Sequence, residues 1–548
     1  MKITEQIDLF YPDSAAKERA AERRREIAAS GASFAEDLRL DGIRRMISLG
    51  NSERFMSLAE ELSVELPTVE YRLDCLEDFL NVPELSDTFR KMIAELSGRR
   101  PEPEGSGSRV NSFFEIKERM DELTFFLGSI TEINSLCRRI SGGIKSEAVK
   151  KLFAFFEELP QSDGYKTISE NLAELRKLFS GSIRSVRIGV NFDSNMIPDS
   201  AGIIEVSNEK IYPKGNVVER MIFGGAEKEH FSGEEHLNSL TRHTPPDIDT
   251  ALFKELYGFT KEYASRIADA LRGYRASFFT DISELERQLD YYGSAAEFIK
   301  SVRARGLPMC RPKLLPPESR TAELKGIFDL NFYRSLVAED AISKLSGKIV
   351  LNDVEFDGRA GFYTVTGANN GGKTTFARAV GLCQVMAQAG MYVPAESAVI
   401  SLCDNIFTHF PHEEKLGIDT SRFTEEIKEL KDIVCKVTPQ SLVILNESLQ
   451  STTPEECLQI AGIHLELFAA AGVRGLYVTH LTGLCRRFGE INAAGYPTKV
   501  GSLVSETDES GEKRLYKMAR RLPSGESLAL SIYRRFGATL SDVGRSRL

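Results

Sequence analysis

Residues 362–375, FYTVTGANNGGKTT, constrain this chain more than any other stretch. Phe362 through Thr366 is a short apolar and β-branched run, the composition of a buried parallel strand. Gly367, Ala368, Asn369, Asn370, Gly371, Gly372, Lys373 and Thr374 fill the pattern G-x-x-x-x-G-K-[ST] without a gap, followed by Thr375. Residues 376–389 read as a helix, so strand, glycine loop and helix come in the order a phosphate loop requires. Glycines let the backbone curl until its N–H groups point inward at phosphate oxygens, and the positive end of the helix adds to the attraction. Lys373 is expected to reach the β- and γ-phosphates and the Thr374 hydroxyl to ligate Mg²⁺. A chance glycine turn before a helix leaves the correct context on both sides unexplained. The pattern predicts that the chain binds a nucleoside triphosphate.

At 548 residues the chain exceeds one core, and a prior of ~150 residues per domain predicts three or four domains. Its 42% apolar and 27% charged content is that of an ordinary soluble protein. Cysteines 75, 137, 310, 383, 403, 435, 457 and 485 form no C-x-x-C pair. Buried free thiols in a reducing cytosol are therefore expected rather than a zinc site or a disulfide framework. Residues 1–11 lack an apolar signal region and no segment approaches 18 apolar residues, so the reading is cytoplasmic with no membrane contact. The net charge of −10 argues against indiscriminate adhesion to nucleic acid over the whole surface. It leaves room for a local basic track. Residues 513–548 carry nine Lys/Arg against Glu526 and Asp542, and Arg23, Arg24 and Arg25 form another cluster. Each reads as a solvated helix face or as such a track.

In chain order, residues 1–98 look helical, and RRPEPEGSGS (99–108) opens a linker over 99–110. Helical pattern resumes over 111–182, with Phe113 and Phe114 as a core-facing pair. A small β-rich insertion follows over 183–250, in which 185–191, 201–206 and 210–212 read as strands after turn residues. His230, His236 and His243 stand six or seven apart, fit no metal motif and read as surface residues. From Leu252 to Ile299 apolar residues step by threes and fours; one unbroken helix of that length would span roughly 70 Å. Either two or three packed helices or a lever between distant domains fits the region 251–324, with Gly258, Gly273 and Gly293 as possible breaks. Residues 312–317 lead toward a nucleotide domain, placed at 325–548.

Two further apolar runs bear on the site. Residues 441–445 (SLVIL) deliver Asn446 and Glu447, which suits a second core strand placing polar groups beside the phosphates. There Glu447 could orient or deprotonate the attacking water. Residues 475–478 present Thr479 and His480 at the strand end, where His480 could sense the γ-phosphate.

TGANNGGKTT, GMYVPAESA (390–398), NIFTHF (405–410), Ser421-Arg422-Phe423, LVILNES and YVTHL (477–481) come in the order of the ATPase domain of the MutS family. That family serves DNA mismatch repair within the wider ABC-type ATPases, and the match covers roughly 325–540. A weaker likeness runs through ISELERQLDYYGSAAEFIKSV and GLPMCRPKL, which resemble the family's lever-helix region.

The resemblance implies a homodimer through the ATPase domain, with two composite ATP and Mg²⁺ sites. Ser421 matches the serine that reaches the partner's γ-phosphate, Asn369 the family's loop asparagine, with Asn370 beside it, and His480 its switch histidine. Three departures stand out. Asn446 occupies the position of the Mg²⁺-orienting aspartate. Ser448 to Thr452 replace the glycine-rich run after the acidic pair. The mismatch-reading domain is not found, since Phe113 and Glu115 have its spacing but lie too far in. The expected fold is multidomain, mainly α with a small β insertion, plus a C-terminal α/β P-loop NTPase domain of the ABC type. The expected function is a MutS-like Mg²⁺-dependent ATPase coupled to binding of duplex or branched DNA, slowed by Asn446. An ATP-binding switch with little hydrolysis, or a structural ABC-type ATPase gripping a protein partner, are the alternatives.

Overall fold

The computed structural model of the chain describes residues 7–47, 52–98, 113–181, 185–192, 194, 198–207, 209, 282–339, 345, 347–410, 422–449, 453–508 and 514–523. Two units emerge, one formed by residues 4–90, 140–152 and 285–548 and the other by 1–3, 91–139 and 153–284. In the second unit the helices Phe113–Ile140 and Asp163–Gly181 bury Leu123 against Ile168 and Leu172. The alternating run at 185–192 forms β1 (Ser185–Phe192), paired antiparallel with β2 (Pro198–Ser207), Ser185 facing Ser207. The third expected run at 210–212, His230, His236, His243 and residues 251–281 lie outside the described residues. Residues 282–304 are helical, and the stepped set Ile282, Leu285, Leu289, Tyr292, Ala296 and Ile299 is buried throughout. Over this stretch the pattern is that of a packed helix.

The larger unit carries β3 (Lys313–Leu315), β4 (Ala322–Ile327), β5 (Asn352–Phe356), β6 (Phe362–Thr366), β7 (Ser397–Ser401), β8 (Ile406–His409), β9 (Leu442–Asn446), β10 (Arg474–Val478), β11 (Val500–Thr507) and β12 (Arg514–Arg520). They form a four-stranded sheet, β3-β7-β4-β5, and a six-stranded one, β12-β11-β6-β10-β9-β8. Residues 313–315, a lead-in on sequence alone, are thus a strand paired with β7. In the larger sheet β6, β9 and β10 are buried at every position, as expected of parallel strands covered on both faces. On one face the helices Arg422–Lys436 and Pro454–Ala471 pack Leu430, Leu465 and Phe468 onto Phe362, Val443 and Tyr477. On the other lies the helix Lys373–Gln388, buried along nearly its whole length.

Part of that burial comes from the N-terminal segment of the same unit, whose helix Ser52–Glu61 packs on it and whose Leu38 lies against Gly381. Gly390, at φ 79°, ends the buried helix where an added Cβ would collide with the Arg72 side chain. Within the basic clusters, Arg23 bonds Glu26 and the Asp404 carbonyl, and Arg24 bonds the Tyr11 hydroxyl at 3.1 Å. Two of these three arginines therefore serve internal contacts. Arg514, Lys517 and Arg520 lie on β12, antiparallel to β11, so that part of the C-terminal basic segment is a strand and not a helix face. The cysteines are free, and Cys75, Cys137, Cys383, Cys403 and Cys457 are buried. No helix among the described residues is long and apolar enough to cross a membrane.

Candidate active site

Strands β6, β8, β9, β10 and β11 run parallel, so their C-terminal ends share one edge of the sheet. β6 stands between β10 and β11, where the chain changes from one side of the sheet to the other, and such a switch point leaves a crevice. Four polar groups of residues meet there: the loop 367–372 after β6, Asn446 and Glu447 at the end of β9, Thr479 and His480 after β10, and Ser505 on β11. A cavity of about 1440 Å³ opens between them, lined by Asn369 through Thr375, Glu447, Ser448, Thr479 and His480.

The loop takes its shape from local conformation. Gly367 sits at φ 127°, which L side chains rarely adopt, and a Cβ there would lie 2.8 Å from that of Ser505. The Ser505 hydroxyl donates to the Gly371 carbonyl at 2.7 Å, tying the loop to β11. Gly372 caps the helix Lys373–Gln388. The buried Lys373 ammonium donates to the carbonyls of Gly367 (3.1 Å) and Ala368 (2.9 Å). Burial holds its pKa below the usual lysine range, opposed by the nearby Glu447 carboxylate and reinforced by Arg514. Asn369 and Asn370 are exposed at the mouth, the latter left-handed at φ 55°.

Thr374 Oγ1 donates to Asn446 Oδ1 at 2.8 Å, which brings together the two residues expected to hold the metal. Both offer oxygen, the donor that Mg²⁺ takes, so the pair fits a hard cation, although neither supplies charge. Glu447 and His480 also meet, with His480 Nε2 2.8 Å from Glu447 Oε1. Glu447 is left-handed at φ 51°, and its N–H donates to the Val478 carbonyl at 2.8 Å. Such a backbone costs on the order of 1–3 kcal/mol and persists only where surroundings impose it. Ser421 lies outside the described residues; the helix Arg422–Lys436 begins one residue later.

Several residues at the site went unread in the sequence. Ser505 buttresses the loop. Asn352 donates to the Tyr516 carbonyl at 3.0 Å and accepts from Met518 N–H at 2.7 Å, joining β5 to β12 beside the cavity. Phe332, Val350 and Tyr516 line its apolar side while remaining at least 36% exposed. An apolar wall open to solvent suits a flat ring. No local pattern marks these residues, because they arrive from separate parts of the chain, Phe332 on a helix, Val350 just before β5 and Asn352 at its start, Ser505 on β11 and Tyr516 on β12.

Residues 363–517 match the family model described as MutS domain V, and residues 64–305 match the MutS2 N-terminal domain. The chain belongs to the MutS family. A DNA mismatch repair protein MutS of Shouchella clausii (strain KSM-K16) is 36% identical over 170 residues, 31% of this chain and 19% of that protein. The protein of that name from Symbiobacterium thermophilum (strain DSM 24528 / JCM 14929 / IAM 14863 / T) is 33% identical over 310 residues, 54% of this chain and 33% of its own length. A third, from Thermotoga petrophila (strain ATCC BAA-488 / DSM 13995 / JCM 10881 / RKU-1), is 36% identical over 143 residues, 26% of this chain and 18% of that protein. The chain thus spans 18% to 33% of the length of these MutS relatives. The MutS2 match starts at residue 64, far ahead of the lever-helix likeness read from 282 onward.

Proposed function

We propose that this MutS-family chain is a Mg²⁺-dependent ATPase whose nucleotide cycle is coupled to DNA binding, acting as a dimer through its nucleotide domain. The observation that carries this is the convergence, around one cavity, of the glycine loop, Thr374 with Asn446 bonded to its hydroxyl, and the Glu447–His480 pair. Loop N–H groups and Lys373 would hold the β- and γ-phosphates in place of the carbonyls that Lys373 now binds. Thr374 and Asn446 would hold Mg²⁺, which when bound neutralises charge on the phosphate oxygens. Glu447 would orient or deprotonate the attacking water, with His480 fixing its carboxylate and sensing the γ-phosphate. Ser421 would complete the partner's site. Coupling to DNA is supported by the names of the relatives, and the acidic net charge limits it to a local track.

Asn446 favours a second reading, an ATP switch with little hydrolysis, because a neutral amide binds the metal more weakly than a carboxylate. Turnover with Mg²⁺ separates the two. Loss of turnover in Glu447→Ala, with Asn446→Asp unchanged or faster, supports the ATPase. A silent native protein that binds ATP and gains turnover as Asn446→Asp supports the switch. For the DNA part, affinity for duplex and branched DNA is expected to fall linearly on a log–log plot against salt. Absence of binding even at low salt would sink that part and leave a protein partner as the object gripped.

A further inference from the structure

Ser448, directly after Glu447, stands between two left-handed non-glycine residues, Glu447 at φ 51° and Leu449 at φ 70°. Its surroundings grip this turn from every side. The Tyr477 hydroxyl donates to the Ser448 carbonyl at 3.2 Å, Leu449 N–H donates to Glu426 Oε2 at 3.1 Å, and Cys457 Sγ donates to the Leu449 carbonyl. The Ser448 hydroxyl lies 2.7 Å from Nδ1 of His409, a buried histidine at the end of β8. His409 Nε2 in turn lies 3.1 Å from Glu429 Oε2. A carboxylate at Nε2 keeps the proton on that nitrogen, leaving Nδ1 to accept from the serine O–H. Glu426 and Glu429, three apart, share one face of the helix Arg422–Lys436.

We propose that His409 is a positioning residue for Glu447, acting through Ser448 in a Glu429–His409–Ser448 relay that holds the turn carrying the water-orienting carboxylate. The proposal rests on the reading of Glu447 as that carboxylate. With the serine hydroxyl anchored, the Glu447–Ser448 peptide cannot rotate, and the Glu447 carboxylate stays within reach of His480. Glu426 anchors the next peptide from the same helix, so movement of that helix shifts both anchors together. A trio that only satisfies the polar atoms of buried His409 and Ser448, with Glu429 at the surface, would contribute to stability and leave the chemical step alone.

The test uses the full chain, with steady-state ATP turnover, equilibrium binding of a fluorescent ATP analogue and thermal melting for each variant. Ser448→Ala and His409→Leu are each expected to lower kcat about tenfold, the worth of one buried hydrogen bond expressed in the transition state. KM and nucleotide affinity should stay within about threefold, marking a loss confined to the chemical step. The double variant should also lose about tenfold, since both changes cut one relay. His409→Asn, which returns an acceptor near the Nδ1 position, should recover most of the rate although it fills the site less well than leucine. Turnover unchanged in His409→Leu, or His409→Asn slower than His409→Leu, overturns the proposal while Glu447→Ala remains inactive. Should His409→Leu not fold, Ser448→Ala, which removes one oxygen, decides alone. Glu447→Ala with native turnover, or a native protein with none, removes the reading beneath the proposal and the proposal with it.

Discussion

Asn446 is the residue on which the chemistry of the site turns, because its amide oxygen meets the Thr374 hydroxyl at 2.8 Å where the resemblance expects a carboxylate. Restoring the charge in Asn446→Asp is expected to lower the Mg²⁺ concentration for half-maximal turnover on the order of tenfold, measured by titrating Mg²⁺ at fixed ATP. An unchanged Mg²⁺ dependence would mean that Asn446 does not face the metal. Chelating Mg²⁺ should abolish turnover while some ATP binding survives. At Gly367, alanine would combine a forbidden φ with contact against Ser505. Gly367→Ala is accordingly expected to weaken binding of the fluorescent ATP analogue at least about tenfold, since the loop's N–H groups lose their shared aim. Native affinity in this variant would place phosphate recognition elsewhere.

Among the elements, the helix Pro454–Ala471 starts with its own lock. Thr453 accepts from Glu456 N–H at 3.4 Å and donates to the Glu456 carboxylate at 3.0 Å, with Pro454 opening the first turn. Thr453→Ala is expected to cost about 1 kcal/mol, read as a lower urea midpoint with an unchanged slope. Because this helix packs its Phe468 ring onto Phe362 of β6 at 5.4 Å, fraying its start leaves the strand that feeds the glycine loop in place. Nucleotide affinity of the variant should therefore match the native protein. The apolar and β-branched composition of β6, β9 and β10 made these strands readable beforehand, since a strand buried on both faces needs no partner to announce itself. β12 was harder. Its basic residues Arg514, Lys517 and Arg520 stand three apart, which is no strand period, and only pairing with β11 makes it an edge strand.

Across the larger unit, the far end of the helix Lys373–Gln388 is bound to the N-terminal segment by a single buried amide. Gln388 donates to the carbonyls of Ser63 and Cys403 and accepts from Cys403 N–H, with Gln384 bonded to its oxygen at 2.7 Å. Gln388→Leu fills the same space and strands these groups without water. It is expected to destabilise the chain by at least about 2 kcal/mol in urea unfolding. A neutral result would show that the N-terminal helices contribute little to holding the nucleotide helix.

Local residue patterns alone specify the glycine loop, the helix that follows it, the strand that ends at Asn446 and the strand that leads to His480. These depend on backbone freedom and on runs of apolar residues, both properties of a few consecutive positions. Only the tertiary structure brought Thr374 to Asn446 and Glu447 to His480, 72 and 33 residues apart, as hydrogen-bonded pairs. It alone added Ser505, Tyr516 and His409, and laid the helix Ser52–Glu61 of the N-terminal segment against the nucleotide helix. Those contacts follow from the order of strands in the sheet and from which faces the helices cover, and that order is set by the collective burial of distant segments, which no stretch of neighbouring residues encodes.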